Sequence, residues 1–166
     1  MNIFDMKLIL LNENFQMKRL KKSSGFITFL CNLTELFQES KLVKFLVGGF
    51  DMDDWGADCA FDLLTVLTQL PDILNCIEKE NYNFNLDFYE QGMERILKFT
   101  EVDENSVSIS CEDMMTKKPY GTEITTEKET VKRIFIDFNN SFIDISKRLV
   151  KNIDDNLVFK RTFKIR

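Results

Sequence analysis

The sequence contains no histidine. Catalytic triads of the Ser-His-Asp and Cys-His kinds are therefore excluded, together with histidine metal sites and the most common general base near pH 7. A phosphate-binding loop is missing too, because the Gly48-Gly49 pair ends an apolar run and belongs to no glycine-rich nucleotide motif. We therefore expect a protein that is not an enzyme, has no cofactor and works by binding a partner.

Proline, glycine and long apolar runs are also scarce. Two prolines and six glycines among 166 residues leave little room for linkers. No apolar run approaches the roughly 20 residues that a membrane helix requires. With 44% hydrophobic residues the chain can build one sizeable core, so we expect a single domain over residues 1–166.

The cysteines lack the Cys-x-x-Cys spacing of zinc and redox sites. They are Cys31, Cys59, Cys76 and Cys111. The opening run Met1 to Lys7 includes an acid, Asp5, where a secretion signal would begin its apolar stretch. We therefore expect free thiols in a reducing cytoplasm, and no metal site.

The hydrophobic pattern predicts an α+β fold in which a mainly antiparallel sheet packs against two long helices, at about residues 54–80 and 127–153. Pro71 predicts a kink or a restart in the first helix. A Thr126-x-x-Glu129 capping box is predicted to open the second. The apolar stripes are Cys59, Leu63, Val66, Leu67, Leu70, Leu74 and Ile77 in the first helix, and Val131, Ile134, Phe138, Phe142, Ile145 and Leu149 in the second.

Alternating or β-rich apolar segments predict the strands of the sheet. Residues 33–40 fit a strand or a helix equally well, and residues 114–125 read as a loop. A turn at Glu90-Gln91-Gly92 joins two strands of an antiparallel meander. The predicted strands cover residues 7–11, 25–33, 42–50, 84–88, 95–99, 107–111 and 158–166.

Charge is segregated along the chain. The net charge is −5, yet residues 51–90 hold ten acids and one base. Asp54, Asp58 and Asp62 are spaced by four residues, so they would form a column on one face of the predicted helix, with Asp51 just before it. A solvated polar face or a cationic partner would each account for such a column.

Three kinds of site compete for these acids. Asp51-x-Asp53-x-Trp55-Gly56 with Asp62 at the twelfth place loosely follows a calcium-binding EF-hand loop, but Trp55 occupies a ligand place. A carboxylate pair for acid–base catalysis can be found in any chain with 27 acids and carries little signal. An electrostatic docking face for a basic protein fits the clustering best.

Two basic clusters remain outside the acidic segment. They can contact phosphates, neutralise the acids or protect a sheet edge from aggregation. Because no aromatic–basic signature of RNA binding accompanies them, we expect no nucleic-acid partner. The clusters are Lys18, Arg19, Lys21 and Lys22, and Lys160, Arg161, Lys164 and Arg166.

A family resemblance adds to these observations. It depends on three features: the opening Asp51-x-Asp53-Asp54-Trp55-Gly56-Ala57-Asp58, the leucine-rich helix after it, and the hairpin Phe88-Tyr89-Glu90-Gln91-Gly92. With these features the chain resembles the small acidic immunity proteins of bacterial polymorphic-toxin and contact-dependent growth inhibition systems. The resemblance implies a cytoplasmic inhibitor that binds the active-site surface of a cognate toxin, often a cationic nuclease. An intracellular adaptor or regulatory module is the alternative.

The sequence thus predicts a partner-binding surface at the start of the first long helix. The partner would be a toxin with a basic surface, and neither nucleic acid nor a membrane. Trp55 would serve there as an interface residue or as a core anchor. The predicted partner-binding residues are Asp51, Asp53, Asp54, Trp55, Asp58 and Asp62.

Overall fold

A computed structural model, which describes residues 4–23 and 25–164, has the predicted α+β fold. Two antiparallel sheets pack with the helices around one hydrophobic core. The strands are β1 (Asp5–Leu10), β2 (Val43–Gly48), β3 (Phe84–Phe88), β4 (Arg95–Glu101), β5 (Ser106–Asp113) and β6 (Ile124–Glu127). The helices are α1 (Phe26–Ser40), α2 (Asp62–Glu78), α3 (Lys128–Leu149) and α4 (Leu157–Thr162), with a 3-10 turn at Ile153–Asp155.

The larger sheet contains the three strands of the predicted meander and a fourth, β6, that was not predicted, in the order β3-β4-β5-β6. Each strand pairs antiparallel with the next along the chain, and alternating apolar residues of the strands face the core. Phe84 lies opposite Phe99, and their rings stack with centroids 4.7 Å apart. The predicted loop at 114–125 extends too far, because β6 already begins at Ile124.

Helix α3 packs against strands of both sheets. Its Phe135 ring packs 5.7 Å from Phe99 of the meander, and its Phe138 ring packs 5.7 Å from Phe45 of β2. The predicted stripe is buried, apart from the half-buried Ile134. The predicted capping box does not form, because Thr126 is held in β6 and no side chain caps the helix.

Two predicted strands are helices instead. Residues 26–40 form α1, because their apolar residues are buried on a helical face, and a short, mainly apolar run does not distinguish a strand from a buried helix. The tail forms α4, whose backbone N–H groups at Val158 and Phe159 are capped by the Asn156 side chain. Arg166 of the tail, and Met1 to Ile3 of the opening run, lie outside the described residues.

Helix α2 begins at Asp62 rather than near Asp54, and continues through Pro71 to Glu78. Its predicted apolar stripe is buried, although Cys59, the first residue of that stripe, lies before the helix begins. All four cysteines are free thiols. Within residues 4–23 and 25–164, no helix combines the length and the apolar character needed to cross a membrane.

Candidate functional site

The acids predicted to form a helical column lie in a loop, because the chain folds back on β2 before the helix starts. The Trp55 N–H donates to the Val47 carbonyl at 2.8 Å, which holds the returning chain against β2. Gly48 permits this close return, since a Cβ there would lie 2.4 Å from the Asp53 carbonyl oxygen. The prediction of a column through Asp54 and Asp58 is therefore wrong.

A tight turn at Phe50-Asp51 begins this loop. Gly49 and Met52 exchange backbone hydrogen bonds of 2.8 and 3.1 Å. Both central residues have positive φ, 54° for Phe50 and 68° for Asp51, as in a type I′ turn. A phenylalanine in this conformation is strained, and such strain concentrates at functional sites. The turn buries the Phe50 ring and exposes Asp51 and Met52 to solvent.

Asp58 and Asp62 form the start of α2 rather than a charged face. The Asp58 carboxylate accepts hydrogen bonds from the backbone N–H groups of Phe61, at 2.7 Å, and of Asp62, at 3.3 Å. In return the Asp62 carboxylate accepts from the Asp58 N–H at 2.9 Å. This reciprocal arrangement satisfies N–H groups that a helix start leaves without partners.

Burial separates Asp62 from the other acids of this loop. Its side chain is buried, and desolvation raises the pKa of its carboxyl group, with further contributions from the negative charges of Asp58 and Glu90. Asp54 behaves in the opposite way. The Gly56 N–H donates to its carboxylate at 2.9 Å and lowers its pKa, as does Lys44 at 3.3 Å.

Trp55 is a core residue that supports the loop from below. Its ring nitrogen donates to the Gly49 carbonyl at 3.2 Å, and its ring packs edge-on to Phe88 at 5.6 Å. The guanidinium group of Arg95 lies 4.5 Å from the centre of the Trp55 ring and 4.0 Å from that of Tyr120. Arg95 therefore lies between two aromatic rings that come from different loops. We call this arrangement the Arg95 clamp.

Three loops meet at this end of the molecule. The Tyr120 hydroxyl lies 3.6 Å from the Met52 sulfur, and Gly121 lies against Phe50. The Met114 N–H donates to the Glu94 carbonyl at 2.7 Å. Together with the Arg95 clamp, these contacts join residues 49–62, 89–95 and 113–123 into one surface, which we call the loop face.

The loop face is acidic and partly apolar. It contains nine acids and three bases, and one of those bases is enclosed in the clamp. Among the predicted partner-binding residues, Asp51, Asp53 and Asp54 are exposed on it, Asp58 is half-buried, and Trp55 and Asp62 are buried. It also exposes four large apolar side chains, with exposed fractions of 39% for Met52, 57% for Phe61, 54% for Tyr89 and 72% for Met115.

The exposed apolar residues and the clamp were not predicted as part of a site. Tyr89, Arg95 and Met115 come from turns and strands that are distant in sequence from the acidic loop. Their convergence depends on strand pairing, which a local pattern does not reveal. Phe61 carried a detectable signal, because it is a large aromatic residue just outside the apolar stripe of α2.

The alternative sites receive little support from the geometry. Across the described ranges, no three His, Cys, Asp or Glu side chains lie close enough together to hold a metal ion. The carboxylates of Asp58 and Asp62 both accept backbone N–H groups at the helix start, which occupies them structurally. In the first basic cluster, Lys18 forms a bridge with Val150 and its side chain is exposed at the end of α3.

Comparisons with protein-family models, curated proteins and solved structures found no match. The chemistry of the loop face is therefore the basis for assigning a function.

Proposed function

We propose that this chain is a non-catalytic binding protein that uses the loop face to recognise a protein with a basic surface. In this proposal it acts in the cytoplasm as an immunity protein that neutralises a cognate bacterial toxin. The observation that carries the proposal is the joint presence, on one surface, of an excess of acids and four exposed large apolar side chains.

Exposed apolar groups and charges contribute in different ways to such an interface. Aromatic and methionine side chains are enriched in the buried centre of protein interfaces, where a few of them supply most of the binding energy. Acids around them steer a basic partner and accelerate association, by tenfold to a thousandfold in strong cases. Phe61 and Tyr89 would supply binding energy at the centre of the interface, and Asp51 and Asp53 would steer the basic partner towards it.

The Arg95 clamp supports the same proposal through rigidity. A surface made of three loops would ordinarily lose conformational entropy on binding, at a cost of about 0.5–1.5 kcal/mol per immobilised side chain. The clamp and the backbone bonds between the loops reduce that cost, because they hold the loops in place before the partner arrives. Free thiols are consistent with the reducing cytoplasm that the proposal requires.

The electrostatic part is tested with two double variants of equal charge change. Asp51→Asn with Asp53→Asn removes two acids from the loop face, whereas Asp72→Asn with Glu104→Gln removes two exposed acids elsewhere. With the basic protein encoded beside this chain's gene as partner, the first variant should associate roughly threefold to tenfold more slowly at low salt. The second should not. Equal rates for both variants would contradict the placement of the interface.

The apolar contribution to binding is tested with a matched pair of variants. Phe61→Ala and Val102→Ala shorten side chains of similar exposure, 57% and 56%, on and off the loop face. Phe61→Ala should raise the dissociation constant at least about fivefold, mainly through faster dissociation, and Val102→Ala should leave it unchanged. An unchanged constant for Phe61→Ala would exclude this residue from the interface.

The immunity role requires a separate measurement in cells. Co-expression of the chain with the neighbouring basic protein should restore growth that the basic protein alone suppresses. The Asp51, Asp53 and Phe61 variants combined should restore it less. Binding without any protection would mean that the chain is an adaptor rather than an immunity protein.

A further inference from the structure

Strand β1 is an edge strand. Within residues 4–23 and 25–164 it pairs with β2 alone. Its side chains alternate, with Met6 and Leu8 buried and Lys7 and Ile9 exposed. The opposite side of the strand therefore carries backbone groups that no strand pairs in this part of the chain, and such groups can bind an additional strand.

The pairing register shows which backbone groups these are. The Leu11 N–H donates to the Leu42 carbonyl, and hydrogen-bonded pairs alternate along an antiparallel ladder. Lys7 and Ile9 therefore bond to β2, while Leu8 and Leu10 direct their N–H and carbonyl groups away from it. Met6 shows the same direction, since its N–H donates to the carboxylate of Asp5 at 2.9 Å rather than to β2.

A groove lies along this free edge, with β1 as one wall and α3 as the other. It consists of two adjoining cavities of about 550 and 500 Å³. Ser141 of α3 borders both of them. None of the loop-face residues lines either cavity, so the groove is a second surface. Its lining includes Leu8 and Ile9 from β1, and Thr130, Ile134 and Ser141 from α3.

The groove is balanced in charge. Two acids and two bases border the larger cavity, and Asp5 and Lys7 among them already form an ion pair with each other. An occupant therefore needs no net charge, and its main polar requirement is to pair the backbone groups of Leu8 and Leu10. Ile9, which is 38% exposed, and the half-buried Ile134 offer apolar contacts for its side chains.

The geometry points to a strand-addition site: the groove between β1 and α3 binds an extended, uncharged segment of a partner protein as a third strand beside β1. Main-chain hydrogen bonds supply affinity in this mode of recognition, and alternate side chains supply selectivity. The proposal does not depend on a basic partner at the loop face.

A second copy of the chain fits this site less well than a peptide. If two copies paired through β1, the two central strands would be about 4.8 Å apart. The α3 helix of each copy packs beside β1, so both helices would lie against the new strand pair. Two packed helices need about 8–10 Å between their axes, so two strands only about 4.8 Å apart leave little room for both α3 helices.

The test uses the synthetic peptide acetyl-Ser-Thr-Val-Thr-Val-Thr-Ser-amide with the full chain. Binding with a dissociation constant below about 1 mM should slow amide hydrogen exchange at Leu8 and Leu10. Exchange at Lys7 and Ile9 should change little, because their N–H groups already bond to β2. Exchange that slows elsewhere instead, or an absence of binding at that concentration, would overturn the proposal.

Two N-methylated peptides make the test specific for strand pairing. One is methylated at the valine amides and the other at the flanking threonine amides, so each lacks the N–H groups of one edge. One methylated peptide should bind as tightly as the unmethylated peptide, and the other should bind at least tenfold more weakly. Equal binding of the two forms would exclude strand addition, and concentration-dependent protection of Leu8 and Leu10 without peptide would identify a second copy as the occupant.

Matched variants locate the site. Ser141→Trp should fill the groove and weaken peptide binding at least tenfold, whereas Thr125→Trp, on exposed β6, should not weaken it. Leu10→Pro removes one outward N–H from the edge, where proline is tolerated, and should weaken binding without altering the α3 wall. An unchanged affinity for Ser141→Trp, with a folded variant, would overturn the proposal.

Discussion

Replacing Asp58 distinguishes a helix cap from a partner-binding charge. In Asp58→Ala, the N–H groups of Phe61 and Asp62 lose their acceptor, at a cost of about 1–2 kcal/mol. In Asp58→Asn the side-chain oxygen remains and only the charge is lost. Because the neighbouring Asp62 carries a charge of the same sign, we expect Asp58→Asn to stay within about 0.5 kcal/mol of the parent chain.

Urea unfolding measures this difference directly. With a slope of about 2 kcal/mol/M, Asp58→Ala should lower the urea midpoint by about 0.5–1 M without changing the slope. For a chain of this size, the melting temperature should fall by about 2–8 °C. The capping argument would be refuted if Asp58→Ala retained the parent midpoint, or if Asp58→Asn lost as much stability as Asp58→Ala.

Three further predictions follow from the same region and core. Burial gives Asp62 a higher pKa in the folded state than in the unfolded state, so its ionisation lowers the stability of the fold as pH rises above about 4. In urea titrations, Asp62→Asn should therefore be more stable than the parent chain at pH 7 and as stable as the parent chain below about pH 4. Arg95→Lys keeps the charge but loses the planar stacking group, and should cost about 1 kcal/mol in the same titrations; equal stability would argue against the clamp. Burial raises the pKa of the Cys59 and Cys111 thiols to about 11, so a disulfide reagent at pH 8 should modify them only after unfolding, as peptide mapping would show.

Local periodicity was sufficient to predict the meander and α3. Strands β3, β4 and β5 alternate and are separated by turn residues, while α3 repeats apolar residues every three or four positions. Both patterns arise within a single element. No knowledge of its neighbours is therefore needed to recognise them.

The errors occurred where burial or long-range pairing decides the structure. In α1, Phe26 to Leu30 is a mainly apolar run that fits a strand as well as a buried helix. In the β2–α2 loop, the spacing of Asp54 and Asp58 coincides with a helical repeat. The Trp55 backbone nevertheless bonds to Val47 and draws these residues away from the helix.

The candidate site was predictable only in its charge. The sequence indicated that acids concentrate after residue 50, but it did not indicate that the exposed Tyr89 and Met115 side chains lie beside them. Arg95 is a single base at the start of a strand, and nothing in its neighbours predicts two stacked rings. These residues become a site through the pairing of β4 with its neighbours, which is a property of the whole sheet.

The packing of β1 against α3 also has a consequence for how the chain folds. The meander brings together segments that are adjacent along the chain, so its loops close at little entropic cost and it can assemble early. Met6 and Leu8, in contrast, are buried side chains of a strand that packs against a helix beginning only at residue 128. The packing of this strand against α3 therefore has to wait for contacts between distant parts of the chain, and we expect the docking of β1 to limit the rate of folding.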